Sequence, residues 1–301
     1  MLATVISGVL AATAVPSSTA AQPRKTSVQA GVFRVASFNV LGASHTPVGG
    51  RRASGATRIV WANQLLERHR VEVVGFQELQ ASQLSAFTSL TDGAWEVYPG
   101  LQRKRLDSEN SIGWRTDRFD LVNATTVDIP YFNGSPRAMP LVLLRDKRSG
   151  MLTYVANYHN PADTSKYRNQ QKWRDIATEI EIRLQNQLAG QNIPRIMTGD
   201  FNERASFFCR VTAGAPLHAA RPTSYRRGGV CHAGSPRAVD WILGALRVQF
   251  SNYVEDRSEL VDKTTDHPLI VATAKVDPAA MPQAWATETP AAVVPRHTWK
   301  R

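Results

Sequence analysis

Thr198-Gly199-Asp200-Phe201-Asn202 closes a mostly apolar run that begins at Ile193. A short run of this kind predicts a buried strand. At the end of that strand, Asp200 and Asn202 would share one loop. A carboxylate in such a loop accepts a proton from water, and an amide donates a hydrogen bond to an anionic oxygen. A capped turn explains the motif equally well when it stands alone, so its meaning depends on the rest of the chain.

Five further strand-like runs carry polar residues at or near their ends. They are Phe38-Asn39, Gln77-Glu78, Asn157-Tyr158-His159, Asp240 within Val239 to Leu243, and Thr265-Asp266-His267-Pro268. Turn chemistry accounts for one such insertion but is a poor explanation of six in succession. The sequence therefore predicts that strand ends gather these side chains at one edge of the fold. The other histidines have no such context and are predicted to lie at the surface: His45, His69, His218, His232 and His297.

The composition allows one large domain or two and indicates a polyanionic partner. The chain has 301 residues, of which 43% are hydrophobic, so it can bury a sizeable core. Its 36 Lys and Arg against 25 Asp and Glu give a formal net charge of +11. Such a charge favours nucleic acid, phospholipid headgroups or acidic cell-wall polymers as partners. A basic surface without any such partner is the alternative.

The two ends of the chain differ in composition from the middle. Residues 1–22 carry no charge, and Ser18-Thr19-Ala20 fits a small-x-small cleavage site, although no Lys or Arg precedes the apolar stretch. We predict a secretory leader over 1–22, a linker over 23–31 and a secreted protein. The leader is too short and too interrupted to span a bilayer. Residues 277–301 are rich in Ala and Pro and predict a disordered tail, which leaves 32–276 as the domain.

Cys209 and Cys231 are the two cysteines of the chain. In an exported protein such a pair predicts a disulfide. Two free thiols or half of a metal site are the alternatives, and the metal site is disfavoured because no further Cys/His cluster has zinc spacing.

Apolar periodicity predicts two long helices and a larger number of strands. One helix covers Thr57 to Arg70, and the other runs from Trp173 to a stop at Gly190. Strands are predicted at 32–40, 71–76, 95–98, 111–129, 140–144 and 151–158, around Asp200 and Asp240, and after His267. Residues 204–237 are rich in Gly and Arg and predict a long irregular loop. The pattern favours an α/β fold with two packed sheets and helices outside them.

The carboxylates at the predicted strand ends indicate a metal site. Glu78, Asp200, Asp240 and Asp266 would repel one another on convergence unless a cation joined them. Carboxylate and amide oxygens suit a hard divalent ion, so the prediction is Mg²⁺, with Mn²⁺ or Ca²⁺ as alternatives. Carboxylates, amides and two histidines around such an ion are suited to phosphoester hydrolysis.

The order of the six motifs resembles that of the endonuclease/exonuclease/phosphatase superfamily, the deoxyribonuclease-I-like proteins. The resemblance covers residues 32–275, and each motif is short but their joint order is specific. It implies a four-layered α/β sandwich, in which two packed β-sheets are flanked by helices. It also implies that the active site lies at the edge where the strand ends converge.

The resemblance further implies a role for each residue of the site. Glu78 would be the main metal ligand with Asn39 beside it, and Asp266 would support the ion directly or through water. The remaining residues would be catalytic. Asp200 would orient and deprotonate the attacking water, and Asn202 and His159 would hold the phosphate. His267, paired with Asp240, would stabilise the pentacovalent phosphorus or assist the leaving group.

Departures from related groups narrow the substrate class, because the fold alone does not choose it. Leu79-Gln80 stands where abasic-site endonucleases have Thr-Lys, and Glu203-Arg204-Ala205 stands where inositol-polyphosphate phosphatases have Asn-Tyr-Arg. An exported nuclease remains, or a phosphodiesterase that acts on lipid or on small phosphoesters. No stable protein partner is indicated, and a monomer is expected.

Basic loops favour the nuclease among these alternatives. Arginines in predicted loops near the strand ends could follow a phosphate backbone: Arg51, Arg52, Arg226 and Arg227. Asn110 is a weaker candidate for a substrate contact. The prediction is a secreted, metal-dependent endonuclease. A sphingomyelinase-like enzyme, with Tyr131 to Gly134 as a membrane-contacting hairpin, and a non-catalytic basic binding module are the alternatives.

Overall fold

A computed structural model describes residues 29–46, 50, 52–102, 108–225, 230–235 and 237–278. In this part of the chain there are twelve strands and five α-helices. The strands are β1 Gly31–Asn39, β2 Val73–Gln77, β3 Trp95–Tyr98, β4 Ser111–Arg115, β5 Phe119–Pro130, β6 Pro136–Asp146, β7 Leu152–His159, β8 Arg195–Asp200, β9 His218–Ala219, β10 Asp240–Ala245, β11 Val248–Asp256 and β12 Leu269–Val276. The helices are α1 Gly55–Arg68, α2 Ala81–Thr91, α3 Gln171–Ala189, α4 Ala205–Gly214 and α5 Glu259–Thr264.

The strands form two mixed sheets of six strands each, in the orders β11-β12-β1-β2-β4-β3 and β5-β6-β7-β8-β10-β9. At the centre of each sheet lies one parallel pair, β1 with β2 and β7 with β8. Parallel neighbours end at the same edge of a sheet. Asn39 is therefore opposite Gln77 in the first sheet, and His159 is opposite Asp200 in the second.

Three layers of apolar side chains separate the sheets from each other and from the helices. Val35 and Val73 of the first sheet meet Val155 and Ile196 of the second in the central layer. On the outer face of the first sheet, α1 and α2 pack on β1 and β2. On the outer face of the second sheet, α3 and α4 pack on β7, β8 and β10. The predicted four-layered α/β sandwich is confirmed.

The two sheets are joined by a polar contact just behind the edge that carries the motifs. Asn157 Nδ2 of β7 donates to the Phe76 carbonyl of β2 at 2.7 Å, and Gln77 Nε2 donates to Asn157 Oδ1 at 2.6 Å. The contact requires glycine at position 75, because a Cβ atom there would lie 2.0 Å from Thr198 Oγ1. This contact sets the distance between the two halves of the site.

The region 204–237 differs from the irregular loop that its Gly and Arg content predicts. It begins with α4, because Phe207, Phe208 and Val211 fall at helical spacing and are buried against the second sheet. The rings of Phe208 and Trp241 stack with centroids 5.1 Å apart. The predicted disulfide is present and ties Cys209 of α4 to Cys231.

Other differences concern short elements, and some predictions fall outside the described residues. Helices α2 and α5 are shorter elements that the apolar periodicity did not predict, and the predicted strand 111–129 is two strands joined by a turn. The predicted leader 1–22 and residues 279–301 of the predicted tail lie outside the described residues. No helix within the described ranges has both the length and the apolar character that a membrane span requires.

Candidate active site

The strand ends bring polar side chains from both sheets together at one edge. Asn39 Nδ2 of β1 donates to Glu78 Oε1 and to Asp200 Oδ2, each at 3.1 Å. It thereby joins the first sheet to the end of β8 in the second. Register places Asp240, the first residue of β10, directly opposite Asp200. The Asn39 amide therefore links the carboxylates of Glu78 and Asp200 by hydrogen bonds, and the predicted residue Asp240 lies beside them.

Glu78 occupies an unusual backbone conformation immediately after β2. Its φ of 59° lies in the left-handed region, which costs free energy for a residue with a side chain. The turn aims the carboxylate back toward β1, where Oε2 accepts the Gly42 N–H at 2.9 Å. Asn202, with a φ of 49°, takes the same conformation after β8. Backbone strain thus coincides with two predicted site residues.

Two histidines flank the buried carboxylate of Asp200. His267 Nε2 lies 3.5 Å from Asp200 Oδ2, and His159 Nε2 lies 3.7 Å from the same oxygen. His267 Nδ1 also contacts Asp240, at 3.2 Å from Oδ1 and 3.1 Å from Oδ2. The predicted pairing of His267 with Asp240 is thus present as a contact. Asp240 fixes the tautomer and orientation of the imidazole.

Burial and neighbouring charges assign different protonation states to the members of this group. Burial opposes a charge on His267, but the carboxylates of Asp240 and Asp200 outweigh it and raise the pKa of His267 to about 11. Burial lowers the pKa of His159, which is neutral at pH 7 as a result. Burial raises the pKa of Asp200, against the charge of His267. A buried carboxylate with a raised pKa next to an imidazolium is suited to general base catalysis.

Asn202 and Asp266 are the remaining predicted residues, and each is tied to the cluster around Asp200 and Asn39. The Asn202 N–H donates to Asp200 Oδ1 at 2.9 Å, and its Nδ2 donates to the Asn160 carbonyl at 2.9 Å. Asp266 is exposed, and Thr265 Oγ1 beside it donates to the Asn39 carbonyl at 2.7 Å. The turn that carries Asp266 is therefore anchored to the end of β1.

The predicted substrate-binding residues are less closely tied to the site. Arg51, Arg226 and Arg227 lie outside the described residues. Arg52 donates to the carbonyls of Asp262 and Thr265, so its guanidinium holds the turn in front of Asp266. Asn110 is fully buried, and within the described chain neither polar atom of its amide has a hydrogen-bond partner. A buried amide without partners is uncommon in folded proteins.

Arg58 is a positioning residue that the sequence did not reveal. It is fully buried on α1 and donates to the carbonyls of Val40 and Leu41 at 2.7 Å and of Thr264 at 3.0 Å. It therefore ties the loop after Asn39 to the turn before Asp266. Its place on an amphipathic helix is that of an ordinary surface arginine, so no sequence signal marks it.

Arg137 adds a fixed positive charge that was also missed. Its guanidinium lies 4.1 Å from the ring centroid of Tyr131 and donates to Glu109 Oε2 at 3.0 Å. Its charge acts on His159, whose Nδ1 contacts the Tyr131 hydroxyl at 3.4 Å. Arg137 could have been predicted from its position in the sequence, at the start of a strand and close to the Tyr131 to Gly134 segment.

His45 lies at the surface, as the sequence predicts, but it also contacts a residue of the site. Its Nδ1 lies 2.7 Å from Glu78 Oε2. Burial would raise the pKa of Glu78, but the hydrogen bond from His45 and the Gly42 N–H lower it well below its usual value. Glu78 is therefore ionised at all working pH values. The prediction of a surface position fits His69 less well, because its side chain is only 15% exposed and contacts Asp256.

Two groups of donors fit a divalent ion differently. Asp200, Asp240 and His267 each place a ligand atom within 4.8 Å of the others. Their charges are already partly offset, however, because His267 supplies one positive charge against the two carboxylates. The alternative is the predicted set of Glu78, Asn39 and Asp266.

The set of Glu78, Asn39 and Asp266 provides oxygen ligands, and the Glu78 carboxylate is partly open to solvent. The Glu78 side chain is 18% exposed, and its Oε1 accepts a single hydrogen bond, from Asn39. The charge of Asp266 acts on His45, which touches Glu78, so the two carboxylates share one neighbourhood. Ionised carboxylates with open lone pairs are the donors that a hard divalent ion prefers. The residues present therefore fit an ion at Glu78.

Comparison with solved structures identifies the architecture. An endonuclease/exonuclease/phosphatase family protein from Bacteroides thetaiotaomicron superposes with a TM-score of 0.64 at 18% identity, over 83% of this chain and 99% of that one. The chain has the endonuclease/exonuclease/phosphatase fold.

Two further structures with this fold carry more specific names. The human Nocturnin catalytic domain, solved with a bound sulfate anion, has a TM-score of 0.62 at 17% identity, over 81% of this chain and 94% of its own. The mannosyl-6-phosphatase of Bacteroides thetaiotaomicron has a TM-score of 0.59 at 18% identity, over 80% of this chain and 99% of its own. No protein-family model and no curated protein matches the chain. At these identities the likeness establishes the fold, and the chemistry depends on the site.

Proposed function

We propose that the chain is an exported, divalent-metal-dependent phosphodiesterase that hydrolyses nucleic acid. The observation that carries the proposal is the convergence on Asp200. The same carboxylate oxygen lies 3.1 Å from Asn39 Nδ2, 3.5 Å from His267 Nε2 and 3.7 Å from His159 Nε2. A proton acceptor, an imidazolium and a neutral imidazole at one point are the parts that attack of water on a phosphodiester needs.

The roles follow from the protonation states. Asp200 orients the attacking water and accepts its proton. His267, held by Asp240, donates to the phosphoryl oxygens and stabilises the charge that develops on them. His159 and Asn202 position the phosphate. When bound by Glu78, Asn39 and Asp266, a divalent ion of the Mg²⁺ or Mn²⁺ type neutralises phosphoryl charge.

Charge and shape favour nucleic acid over lipid as the substrate. The net charge of +11 and the fixed guanidinium of Arg137 beside His159 suit a polyanionic backbone. A lipid hydrolase would need a free apolar hairpin near the site. In the candidate hairpin, Tyr131 is buried and the Phe132 ring stacks on Tyr167 with centroids 4.3 Å apart. These aromatic rings are engaged within the protein, and this supports the nuclease.

The disulfide supports export. Structural disulfides form and persist in oxidising compartments and are rare in the cytosol. Cys209 and Cys231 are the two cysteines of the chain and they are bonded to each other.

A substrate panel tests the proposal. Purified protein with its disulfide intact would be given plasmid DNA, RNA, sphingomyelin vesicles and p-nitrophenyl phosphate, with Mg²⁺, with Mn²⁺ and with EDTA. The expected result is nicking of plasmid that EDTA abolishes and that Asp200→Asn lowers by about 10²–10⁴-fold. Turnover of sphingomyelin alone would make the protein a lipid phosphodiesterase. DNA binding without cleavage under any condition would make it a binding module.

A further inference from the structure

The loop that follows β1 is fixed by an unusual set of contacts against the turn that follows β2 and the first turn of α2. Backbone N–H groups of Gly42, Ala43 and Ser44 each donate to a side-chain oxygen. Gly42 donates to Glu78 Oε2 at 2.9 Å, Ala43 to Gln83 Oε1 at 2.8 Å and Ser44 to Gln80 Oε1 at 2.9 Å. Three successive anchored amides leave the next residue, His45, little freedom. Its position is therefore a property of the fold.

His45 is held over the carboxylate that is expected to bind the ion. Its Nδ1 lies 2.7 Å from Glu78 Oε2, and the charges of Glu109 and Asp266 also act on the ring. Half of the side chain is exposed, so the ring lines the open side of the site. The imidazole thus contacts one carboxylate and feels the charge of two others.

The separation of these two atoms matches that of two ligands on one ion. Ligands about 2.1 Å from an octahedral ion lie about 3 Å apart when they occupy neighbouring positions. Nδ1 and Oε2 are already near this spacing. A small movement of the exposed ring would place both atoms on the same ion. Imidazole nitrogen suits first-row transition metals better than Mg²⁺, which prefers oxygen ligands.

We propose that His45 supplies a nitrogen ligand to the divalent ion at Glu78, so that the site prefers a first-row transition-metal ion such as Mn²⁺ over Mg²⁺. The inference rests on the proposed function, which places an ion at Glu78. A different role for His45, a hydrogen bond that only orients Glu78, would strengthen the binding of both ions alike.

Two measurements with the metal ions alone, without substrate, test this inference. Calorimetry gives the dissociation constants of Mn²⁺ and Mg²⁺, and pulsed electron paramagnetic resonance detects nitrogen bonded to Mn²⁺. Both would be applied to the wild type, His45→Ala and His45→Gln, since Gln retains a hydrogen-bond donor. His69→Ala is the matched control, because His69 Nε2 makes an equally short contact of 2.7 Å with Asp256 away from the site.

The expected result is a nitrogen coupling in the wild type and in His69→Ala that both His45 variants lose. The dissociation constant for Mn²⁺ should rise about tenfold or more in both His45 variants, with a much smaller change for Mg²⁺. If the coupling is absent or survives in His45→Ala, or if the affinities for both ions fall in parallel and Gln restores them, His45 is not a ligand. Mn²⁺ that fails to bind, or that binds unchanged in Glu78→Ala, would overturn the proposed ion site as well.

Discussion

Glu181→Gln should remove a strong pH dependence from the stability of the protein. Glu181 lies on α3 and is fully buried. Its side chain faces that of Asn160, whose carbonyl accepts Asn202 Nδ2 and whose N–H donates to the Asp200 carbonyl. A neutral carboxylic acid thus supports the site from behind, and Gln has nearly the same shape without the charge.

The magnitude follows from the burial of this carboxyl group. Burial raises the pKa of Glu181 from its ordinary value of 4.5 to about 8 in the folded protein, against the charge of Arg210. Below pH 4.5 both the folded and the unfolded states hold the proton. Above that value the unfolded chain releases its proton first, so the free energy of unfolding falls by about 1.4 kcal/mol per pH unit. By the folded-state pKa the total loss is about 5 kcal/mol.

Urea unfolding of the wild type and Glu181→Gln, at several values between about pH 5 and about pH 8, measures the effect. Other groups titrate over this range, but their contributions cancel in the difference between the two proteins. The stability of Glu181→Gln relative to the wild type should rise by about 4 kcal/mol across the range. Glu179→Gln, on the exposed side of the same helix, is the control and should show no such trend.

A difference in unfolding free energy that stays constant with pH would refute this reasoning. It would mean that Glu181 is ionised in the folded protein at neutral pH and that Arg210 or water compensates its charge. A trend of equal size in Glu179→Gln would instead show that the effect is not specific to the buried carboxyl group.

Three further predictions concern the site and its support. Asp240→Asn should lower the pKa of His267, because the Asp240 carboxylate raises it. The alkaline limb of the pH–rate profile should therefore move to lower pH than in the wild type, and an unchanged profile would contradict the pairing. Gly75→Ala should lower the melting temperature by the equivalent of about 1–3 kcal/mol, because a Cβ would push the sheets apart; an unchanged melting temperature would contradict the tight contact. Cys209→Ser with Cys231→Ser should cost about 3 kcal/mol of stability in denaturant titrations while hydrolysis at low temperature persists; equal stability would show that the disulfide adds nothing.

The motifs at the strand ends were predictable because register follows from simple rules. Parallel strands end at a common edge, so Asn39 and Gln77 on one sheet and His159 and Asp200 on the other lie side by side. The spacing of apolar residues was sufficient to find the two long helices that cover the sheets.

Residues that act through loop conformation were not predictable. His45 reaches Glu78 because the three preceding amides are anchored to side chains of residues 78–83, and Arg58 looks like any charged residue on an amphipathic helix. Helix α4 was missed because its apolar face is only three turns long and lies next to a segment rich in Gly and Arg. Contacts of this kind depend on which loops the fold brings together, so they cannot be predicted from the local pattern of residues in the sequence.

The central claim is that side chains at the edge of the first sheet hold one divalent ion at Glu78, with a phosphate beside Asp200 of the second sheet. A crystal soaked in Mn²⁺ and inorganic phosphate, measured for anomalous scattering, tests it directly. We predict one anomalous peak against Glu78 and Asp266, with phosphate density next to His159 and Asn202. A peak among Asp200, Asp240 and His267, or the absence of a peak at this edge of the sandwich, would contradict it.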